Sequence, residues 1–578
     1  MCGILAIVDQ AGDRFGARWP HARAHADRAR VLLDRLQHRG PDAAGSLTLP
    51  NAWLGHRRLA VIDPQGSPQP FADGPVACTA NGEIYNHAAL RAELGRADLP
   101  GSDCAVIGPA WRAMGDALPD ALDGQFAFVC ADRDTGAWIA ARDHMGICPL
   151  YAGWHRDGTI WFASEMKALI DDCRRVELVE PGEMWTGGTG PTRRTTWYTR
   201  PWMNAAPDRP ADTDRLRTTL VRAVEKRLMA DVPWGVLLSG GVDSSLIASI
   251  SQRLALERGL GPIHTFSIGL EGGPDLAPAR AVAEFLGTRH HEYTFTIDQA
   301  MHALPAVLHH LESDQQVRTG VPTSLLAQRI RADGFKMVLS GEGADELFGG
   351  YLYFHSAPNP AEFHAETVRK TTRLHQYDVM RANKAPMAFG LEVRVPFLDR
   401  AVIDEALGTD PAERMIDPAR DGAPIEKAML RRAFHDPADP WLPDGILWRR
   451  KEQFSDGVGD GWVDALRDES GRRVPEALLA DAPRRFPEQT PTNREMIWMR
   501  ELFERQFVTG RAAGRSPLGT LGAGRSVACS TPEAIAWNPA WASIAGDISG
   551  RGILPEASRT TSASPSRERG FEACNQPA

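Results

Sequence analysis

The sequence lacks the features that mark secreted, membrane and nucleic-acid-binding proteins. Its 578 residues contain no apolar run of bilayer length, which would need about 20 residues. The apolar stretch at residues 1–8 is short and has no basic region before it, so we expect a buried strand and not a signal peptide. Lys and Arg number 65 against 74 Asp and Glu, without basic clustering, so we expect neither a nucleic acid nor a membrane as partner.

Cysteine is sparse, and the common lysine-containing phosphate loop is missing. None of the eight cysteines stands in a C-x-x-C pair or at a spacing typical of zinc sites. In a chain of this length the distribution indicates reduced thiols and a cytoplasmic location, not a disulfide framework. The pattern G-x-x-x-x-G-K-S/T does not occur, so any nucleotide must be held by another kind of loop.

The chain length predicts at least two domains. Up to Trp185, turn residues separate short strand-like segments, and one helical pattern covers residues 22–36. The strand-like segments include residues 4–8, 59–62, 126–130 and 160–163. We therefore predict a β-rich α+β domain over residues 2–185, followed by a linker over residues 186–212 that is rich in Gly, Pro, Thr and Arg.

The second half of the chain alternates between strand and helix patterns. Strand signals at residues 235–238, 265–270, 292–296 and 336–339 predict an α/β domain with a parallel sheet. The pattern after residue 367 is mostly helical, which adds further helices to this domain over residues 213–507. Residues 508–578 form a C-terminal extension whose last part, residues 558–578, has too few apolar residues to fold, so we expect a disordered tail.

Cys2 is the most informative residue of the first domain. If Met1 is removed, Cys2 carries a thiol nucleophile and a free α-amine in one residue. Such an amine has a pKa of about 7.7–8.0, so it can act as a base near neutral pH. The chain beginning at Met1 does not offer this amine, because the nitrogen of Cys2 is then part of a peptide bond.

Five further motifs accompany Cys2. They are residues 38–42 (HRGPD), 58–63 (RLAVID), 81–86 (NGEIYN), 101–103 (GSD) and 142–146 (RDHMG). Together with Cys2 they resemble the class II glutamine amidotransferases. The resemblance implies a layered αββα fold of the N-terminal nucleophile type and hydrolysis of glutamine by Cys2.

The motif residues suit this chemistry. By the resemblance, the Asn81 side chain and the Gly82 N–H stabilise the tetrahedral oxyanion, which needs preorganised donors. Arg58 can bind the carboxylate of free glutamine through its fork of donors, and Glu83 and Asp103 suit the ammonium. The remaining residues that the resemblance assigns to the glutamine pocket are Leu59, Ala60, Val61 and Ile62.

The second domain carries a glycine-rich turn at residues 239–245 (SGGVDSS), between a strand pattern and a helix pattern. Exposed backbone N–H groups at such a turn and helix start form an anion cradle, and Asp243 is placed to hold Mg²⁺ on the phosphates. The turn resembles the loop of enzymes that split ATP into AMP and pyrophosphate. A second turn, residues 340–346 (SGEGADE), follows another strand, so both turns are expected at one edge of the sheet.

Both motif sets in this order resemble the glutamine-hydrolysing asparagine synthetases, as do residues 377–384, 392–399 and 451–457. The resemblance implies that ATP activates aspartate as β-aspartyl-AMP and that ammonia from glutamine crosses a tunnel to amidate it, in a protein that is commonly a homodimer. It assigns Glu342 to the formation and amination of this intermediate, and Lys451 to charge on the α-phosphate. The implied ATP-binding residues are Leu238, Ser239, Gly240, Gly241, Asp243, Ser244, Ile268, Ser340 and Gly341, and Asp243 and Asp345 are the implied Mg²⁺ ligands.

One segment departs from the family pattern. Residues 312–320 (ESDQQVRTG) lack the paired threonines usual before the following helix and are about two residues shorter. This leaves a related amidotransferase acting on a different carboxylic acid, as in specialised metabolism, as the alternative to aspartate. A non-catalytic relative is a third reading, which the presence of Cys2, Asp243, Asp345 and Lys451 disfavours.

Overall fold

A computed structural model of the protein describes most of the chain. The described residues are 1–9, 21–66, 68–188, 190–450, 457–487, 489–508 and 532–538. The predicted disordered tail, residues 558–578, and most of the C-terminal extension lie outside them, as does Lys451. None of the helices in these ranges is long and apolar enough to cross a membrane.

Regular secondary structure occurs along all the longer described ranges. The strands are β1 Gly3–Val8, β2 Ala43–Thr48, β3 Ala52–Arg58, β4 Phe71–Asp73, β5 Val76–Ile84, β6 Gly124–Asp132, β7 Trp138–Arg142, β8 Tyr151–His155, β9 Ile160–Ala163, β10 Cys173–Leu178, β11 Glu183–Gly187, β12 Arg193–Thr196, β13 Trp234–Leu237, β14 His264–Gly269, β15 Arg289–Thr294, β16 Met337–Leu339 and β17 Glu392–Arg394. The helices are α1 His21–Asp34, α2 His87–Glu93, α3 Ile107–Met114, α4 Leu118–Ala121, α5 Thr213–Arg227, α6 Val242–Glu257, α7 Leu276–Leu286, α8 Ile297–Leu311, α9 Val317–Ala332, α10 Ala344–Phe348, α11 Pro360–Arg373, α12 Asp378–Met387, α13 Arg400–Leu407, α14 Pro411–Arg414, α15 Pro418–Asp421, α16 Ala428–Ala433, α17 Asp444–Leu447, α18 Asp460–Arg473, α19 Glu476–Arg485, α20 Arg494–Phe507 and α21 Pro532–Ile535.

The first domain contains two six-stranded antiparallel sheets, with strand orders β10-β8-β9-β1-β3-β2 and β12-β11-β7-β6-β5-β4. Side chains of β6 alternate between two clusters: Phe126 and Phe128 pack toward α2 and α3, while Ala127 and Val129 belong to the cluster that contains β1. Helix α1 contacts β1 and β3 on the other sheet. The layering is therefore αββα, as the resemblance implied.

The predicted strands at residues 4–8, 126–130 and 160–163 are confirmed, and the predicted helix at residues 22–36 is observed at His21–Asp34. The predicted strand at residues 59–62 is wrong, because β3 ends at Arg58 and residues 59–62 form an irregular loop. Leu59 and Val61 are buried although they belong to a loop and pair with no described strand. Asp63 then turns the chain with a left-handed φ of 51°.

The segment predicted as a linker contains secondary structure. Strand β12, within residues 186–212, pairs with β11 and extends the edge of a first-domain sheet. All four of its residues are exposed, which explains why no apolar pattern marked it. The Arg194 guanidinium lies 3.8 Å from the centre of the Trp185 ring, and this cation–π contact adds to the backbone pairing of β12 with β11.

The second domain is built on one five-stranded sheet in which all pairs are parallel, as predicted. Its strand order is β15-β14-β13-β16-β17. The order reverses between β13 and β16, and such a switch point opens a crevice at the carboxyl ends of the strands. Both glycine-rich turns, at residues 239–245 and 340–346, follow these two strands.

The Asp143 carboxylate organises the loop that follows β7. It is completely buried and accepts hydrogen bonds from the backbone N–H groups of Met145, Ile147 and Cys148, at 3.1, 2.9 and 2.9 Å. Loss of these acceptors would leave buried donors unpaired, which is costly.

We therefore expect Asp143→Ala to lower the free energy of unfolding by about 3 kcal/mol, measured by denaturant unfolding of the first domain. The matched control is Asp134→Ala, since Asp134 is exposed and pairs with Arg133 in a surface turn. Equal stability of the two variants would contradict this role for Asp143.

Candidate active sites

Cys2 lies immediately before β1, where three contacts hold it. Its backbone nitrogen donates to Asn81 Oδ1 at 2.5 Å, and its carbonyl oxygen accepts from Arg39 Nε at 3.0 Å. The Leu59 N–H points at the Cys2 sulfur, 3.4 Å away. Burial raises the pKa of the thiol, against the opposing effect of the positive charge at the N-terminus. The Cys2 thiol is thus held in place, and it would need a base to become a thiolate.

Met1 occupies a buried position beside Cys2. Its ammonium forms an ion pair with Glu392, and its sulfur accepts a hydrogen bond from Asn383 Nδ2 at 2.7 Å. Both partners belong to the second domain. Removal of Met1 would transfer the terminal ammonium to Cys2, next to Asn81, which is the arrangement that an N-terminal nucleophile requires.

The two predicted oxyanion residues lie together on β5. Asn81 is completely buried, and its side-chain Nδ2 has no hydrogen-bond acceptor among the described residues, so it remains free to donate to a substrate. Gly82 has a φ of 147°, and a Cβ there would lie 2.0 Å from the Gln125 carbonyl oxygen. Only glycine fits at this position.

The loop after β3, which carries several predicted glutamine-binding residues, reaches the same thiol at Leu59. The Arg58 guanidinium donates to the carbonyl oxygens of Ile62, Asp63 and Gly66 at 3.2, 2.5 and 3.0 Å, and so shapes the loop. That loop carries the other predicted pocket residues, Leu59, Ala60, Val61 and Ile62.

Two buried carboxylates lie on the β5 side of this pocket. The Asp103 carboxylate accepts from the Ile84 N–H at 2.7 Å. Glu83 forms an ion pair with Arg394 Nη2 at 3.0 Å. Burial raises the pKa of Glu83 to about 7, although the charge of Arg394 opposes the shift. The Arg394 contact comes from β17 of the second domain, and no motif in the first domain could have predicted it.

The second site is a cleft at the carboxyl edge of the parallel sheet. The predicted residues that line it are Leu238, Ser239, Gly241, Asp243, Ser244, Ile268, Ser340, Gly341, Glu342 and Asp345. Gly240 is not among the lining residues. Its φ is 76°, and a Cβ there would lie 2.5 Å from the Ala279 nitrogen, so it serves the shape of the turn.

The two glycine-rich turns touch each other. Ser244 Oγ accepts from the Ser239 N–H at 3.1 Å and lies 3.0 Å from Ser239 Oγ, which closes the first turn onto the start of α6. A Cβ at Gly341 would approach the Ser244 nitrogen to 2.8 Å. The first turn of α6 lines the same cleft, and the unpaired N–H groups at a helix start suit a phosphate.

Lys427 joins the two predicted metal ligands. Its buried ammonium lies 2.5 Å from Asp243 Oδ2 and 2.6 Å from Asp345 Oδ1. Asp243 Oδ1 is buried and accepts no hydrogen bond from a described residue. Carboxylate oxygens in this state fit Mg²⁺. Sequence reasoning missed Lys427, because a single lysine ahead of a short helix carries no pattern.

Another charged group lies deeper in the cleft. Arg381 Nη2 contacts Glu342 at 2.8 Å and Asp378 at 3.0 Å. Burial, together with the charges of Asp378 and Asp345, raises the pKa of Glu346 to about 8. Among these residues the sequence motifs indicated roles for Glu342 and Asp345, but none for Arg381, Asp378 or Glu346.

The segment that departs from the family pattern forms part of the cleft wall. Asp314, Gln315, Gln316 and Arg318 line the cleft. Asp314 is anchored by Arg500 Nη1 at 3.2 Å.

The close contact between the two glycine-rich turns allows a test of nucleotide binding in the cleft. We expect Gly341→Ala to weaken binding of a non-hydrolysable ATP analogue by about tenfold or more, because overpacking costs ~1–3 kcal/mol. Isothermal titration calorimetry would measure this, with Gly445→Ala as control, since a Cβ at Gly445 meets nothing within 4 Å. Unchanged affinity in Gly341→Ala would mean that the nucleotide does not depend on this contact.

Comparison with known proteins covers nearly the whole chain. The glutamine amidotransferase domain family matches residues 1–184, and the asparagine synthase family matches residues 215–363 and 356–516. The chain is 47% identical over 568 residues to glutamine-hydrolysing asparagine synthetase 3 of Arabidopsis thaliana, covering 96% of this chain and 95% of that protein. It is 46% identical over 567 residues to the enzyme of Asparagus officinalis, covering 96% and 93%. The protein therefore belongs to the family of glutamine-hydrolysing asparagine synthetases.

Proposed function

We propose that the protein synthesises asparagine from aspartate, ATP and ammonia released from glutamine, with AMP, pyrophosphate and glutamate as the other products. The observation that carries this proposal is that the described residues of both candidate sites occur in one chain, whose two domains contact each other through the ion pair of Glu83 and Arg394. The proposed division is a glutaminase domain over residues 2–185, a linker over residues 186–212 and a synthetase domain over residues 213–507.

In the glutaminase half, the thiolate of Cys2 attacks the side-chain amide carbon of glutamine. The free α-amine left by removal of Met1 takes the thiol proton and passes it to the departing ammonia. Asn81 Nδ2 and the Gly82 N–H donate to the oxyanion. Arg58, Glu83 and Asp103 recognise the charged head of glutamine, and water then releases glutamate from the thioester.

In the synthetase half, the side-chain carboxylate of aspartate attacks the α-phosphorus of ATP, and pyrophosphate leaves. Ammonia then attacks the acyl adenylate, AMP leaves, and Glu342 accepts the proton that ammonia loses. The turns at Ser239–Ser244 and Ser340–Gly341 bind the phosphates. Asp243 and Asp345 would hold Mg²⁺, which supplies positive charge to the pyrophosphate, while Lys427 adds a fixed cation beside them.

Other features of the proposal come from the family. We propose a homodimer located in the cytoplasm, with glutamine, aspartate and ATP as small-molecule partners. The cytoplasmic location is supported by the six cysteines among the described residues, all of which are free thiols. Lys451 is proposed to act on the α-phosphate.

The proposal is tested by incubating Met1-processed protein with ATP, Mg²⁺, glutamine and aspartate, with mass spectrometry of the products. We expect asparagine, AMP and glutamate to appear together. Cys2→Ala should lower glutamine-dependent synthesis by about a thousandfold or more, because it removes the nucleophile, and should retain synthesis from ammonium chloride.

Two other outcomes of these assays would contradict parts of the proposed function. Glutamate without asparagine would contradict aspartate as acceptor and direct a search among other carboxylic acids, for which the cleft wall at residues 314–318 would be responsible. Loss of both activities in Cys2→Ala would contradict separate sites.

The pKa of Glu83 predicts how glutamine binding depends on pH. A carboxyl group with a pKa raised to about 7 is protonated below that pH and then cannot pair with the glutamine ammonium. The dissociation constant of glutamine for Cys2→Ala should therefore rise by about tenfold per unit as pH falls below 7. Titration calorimetry between pH 5.5 and pH 8 would measure it, and Glu83→Gln in the same background should bind weakly without this dependence.

A further inference from the structure

Five charged side chains, here termed the interface cluster, are buried between the two domains and take no part in the proposed chemistry. They are Arg39, Glu165, Lys167, Glu312 and Lys384, none more than 5% exposed. Removing a charged side chain from water costs several kcal/mol per ion before any pairing is counted. Well-packed apolar residues in the same place could stabilise the protein equally well. Stability alone therefore does not explain the interface cluster, which indicates a functional role.

Glu312 is the residue at which this cluster meets the synthetase cleft. It follows the last residue of α8 with a left-handed φ of 55°. Its carboxylate accepts from the backbone N–H groups of Met166 and Lys167 at 2.9 and 2.6 Å and from Lys384 Nζ at 2.6 Å. Met166 and Lys167 belong to the glutaminase domain. The cleft wall at residues 314–318 therefore starts from a point fixed on that domain.

The same cluster reaches the nucleophile. Lys167 Nζ lies 2.5 Å from Glu165 and 3.4 Å from Glu312. Glu165 pairs with Arg39 Nη1 at 2.9 Å, and Arg39 Nε donates to the Cys2 carbonyl oxygen at 3.0 Å. An unbroken series of buried contacts thus runs from the backbone of Cys2 to the cleft wall.

Helix α12 gives a second connection. Asn383 Oδ1 accepts from Arg39 Nη2 at 3.0 Å, and the next residue, Lys384, pairs with Glu312. Less than one turn earlier on the same helix, Arg381 pairs with Glu342 in the cleft. A shift of Glu312 would therefore move the cleft wall and would release the end of α12 that faces the glutaminase.

We propose that Glu312 is a positioning residue that couples the two reactions, by holding the cleft wall and α12 in register with the glutaminase segment that supports Cys2. The inference rests on the proposed function, and it adds that efficient transfer of ammonia to the acceptor depends on this one carboxylate. Glu312 itself touches neither glutamine nor the reacting atoms.

The test uses Glu312→Gln in the full-length processed protein. The amide keeps the size of the side chain but removes the negative charge beside Lys384 and Lys167. Its NH₂ group would also face the backbone N–H groups and the ammonium that now donate to Glu312. We expect the asparagine-to-glutamate ratio to fall about fivefold and KM for aspartate in the ammonia-dependent reaction to rise about fivefold, the range of typical coupling energies. The glutaminase kcat should change by less than about twofold, because Arg39 keeps its partner Glu165.

Three comparisons separate positioning from general stability. Glu405→Gln removes another buried carboxylate, one that pairs with Arg209 and Arg215 away from both sites, and should leave the product ratio unchanged. Glu312→Asp, which keeps the charge, should restore part of the ratio. If Glu312→Gln folds poorly, the double variant Glu312→Gln/Lys384→Met removes both charges and should still show the lowered ratio.

An unchanged asparagine-to-glutamate ratio in Glu312→Gln, or in the double variant, would overturn the inference. Equal losses of every activity in Glu312→Gln and Glu405→Gln would do the same, because they would show a general effect on stability. Failure of the proposed function is distinguishable, since the unaltered protein would then form no asparagine.

Discussion

The Arg394 guanidinium makes the contacts on which the arrangement of the two sites depends. It lies on the last strand of the parallel sheet and is completely buried. It pairs with Glu392 on its own strand at 2.7 Å and with Glu83 of the glutamine pocket at 3.0 Å, and it donates to the Arg227 carbonyl oxygen at 2.8 Å. A planar guanidinium can satisfy several acceptors in fixed directions, which an ammonium could not do here. The position of Glu83, a proposed glutamine-binding residue, is therefore set partly by the parallel sheet of the second domain.

Burial gives the ionisable groups of both sites their properties. Glu83 would be an ordinary surface carboxylate in water, but desolvation brings its pKa to about 7. In the synthetase cleft the same effect, with neighbouring negative charges, brings the pKa of Glu346 to about 8. The close pairing of Lys427 with Asp243 and Asp345 offsets the repulsion between those two carboxylates. Each site thus contains buried ionisable groups whose charged forms are stabilised by oppositely charged neighbours that the fold brings close.

Much of the fold could be predicted from local patterns, and the failures have identifiable causes. The short apolar run at residues 126–130 indicated a strand, in which Phe126 and Phe128 face one cluster while Ala127 and Val129 face the other. An apolar run was misleading at residues 59–62, where Leu59 and Val61 are buried in an irregular loop. The exposed strand β12 gave no apolar signal, since Arg194 stacks on Trp185 instead of entering a core.

Local stretches of the chain specify which chemical groups the protein has and the turns that present them. Cys2 and the turns at residues 239–245 and 340–346 are encoded by neighbouring residues, so short motifs reveal them. Which distant groups meet, such as Lys427 with Asp243 or Glu312 with Lys167, depends on how the whole chain folds. The physical reason is that a buried ion pair depends on distance and desolvation in three dimensions, and no spacing along the chain encodes either of them.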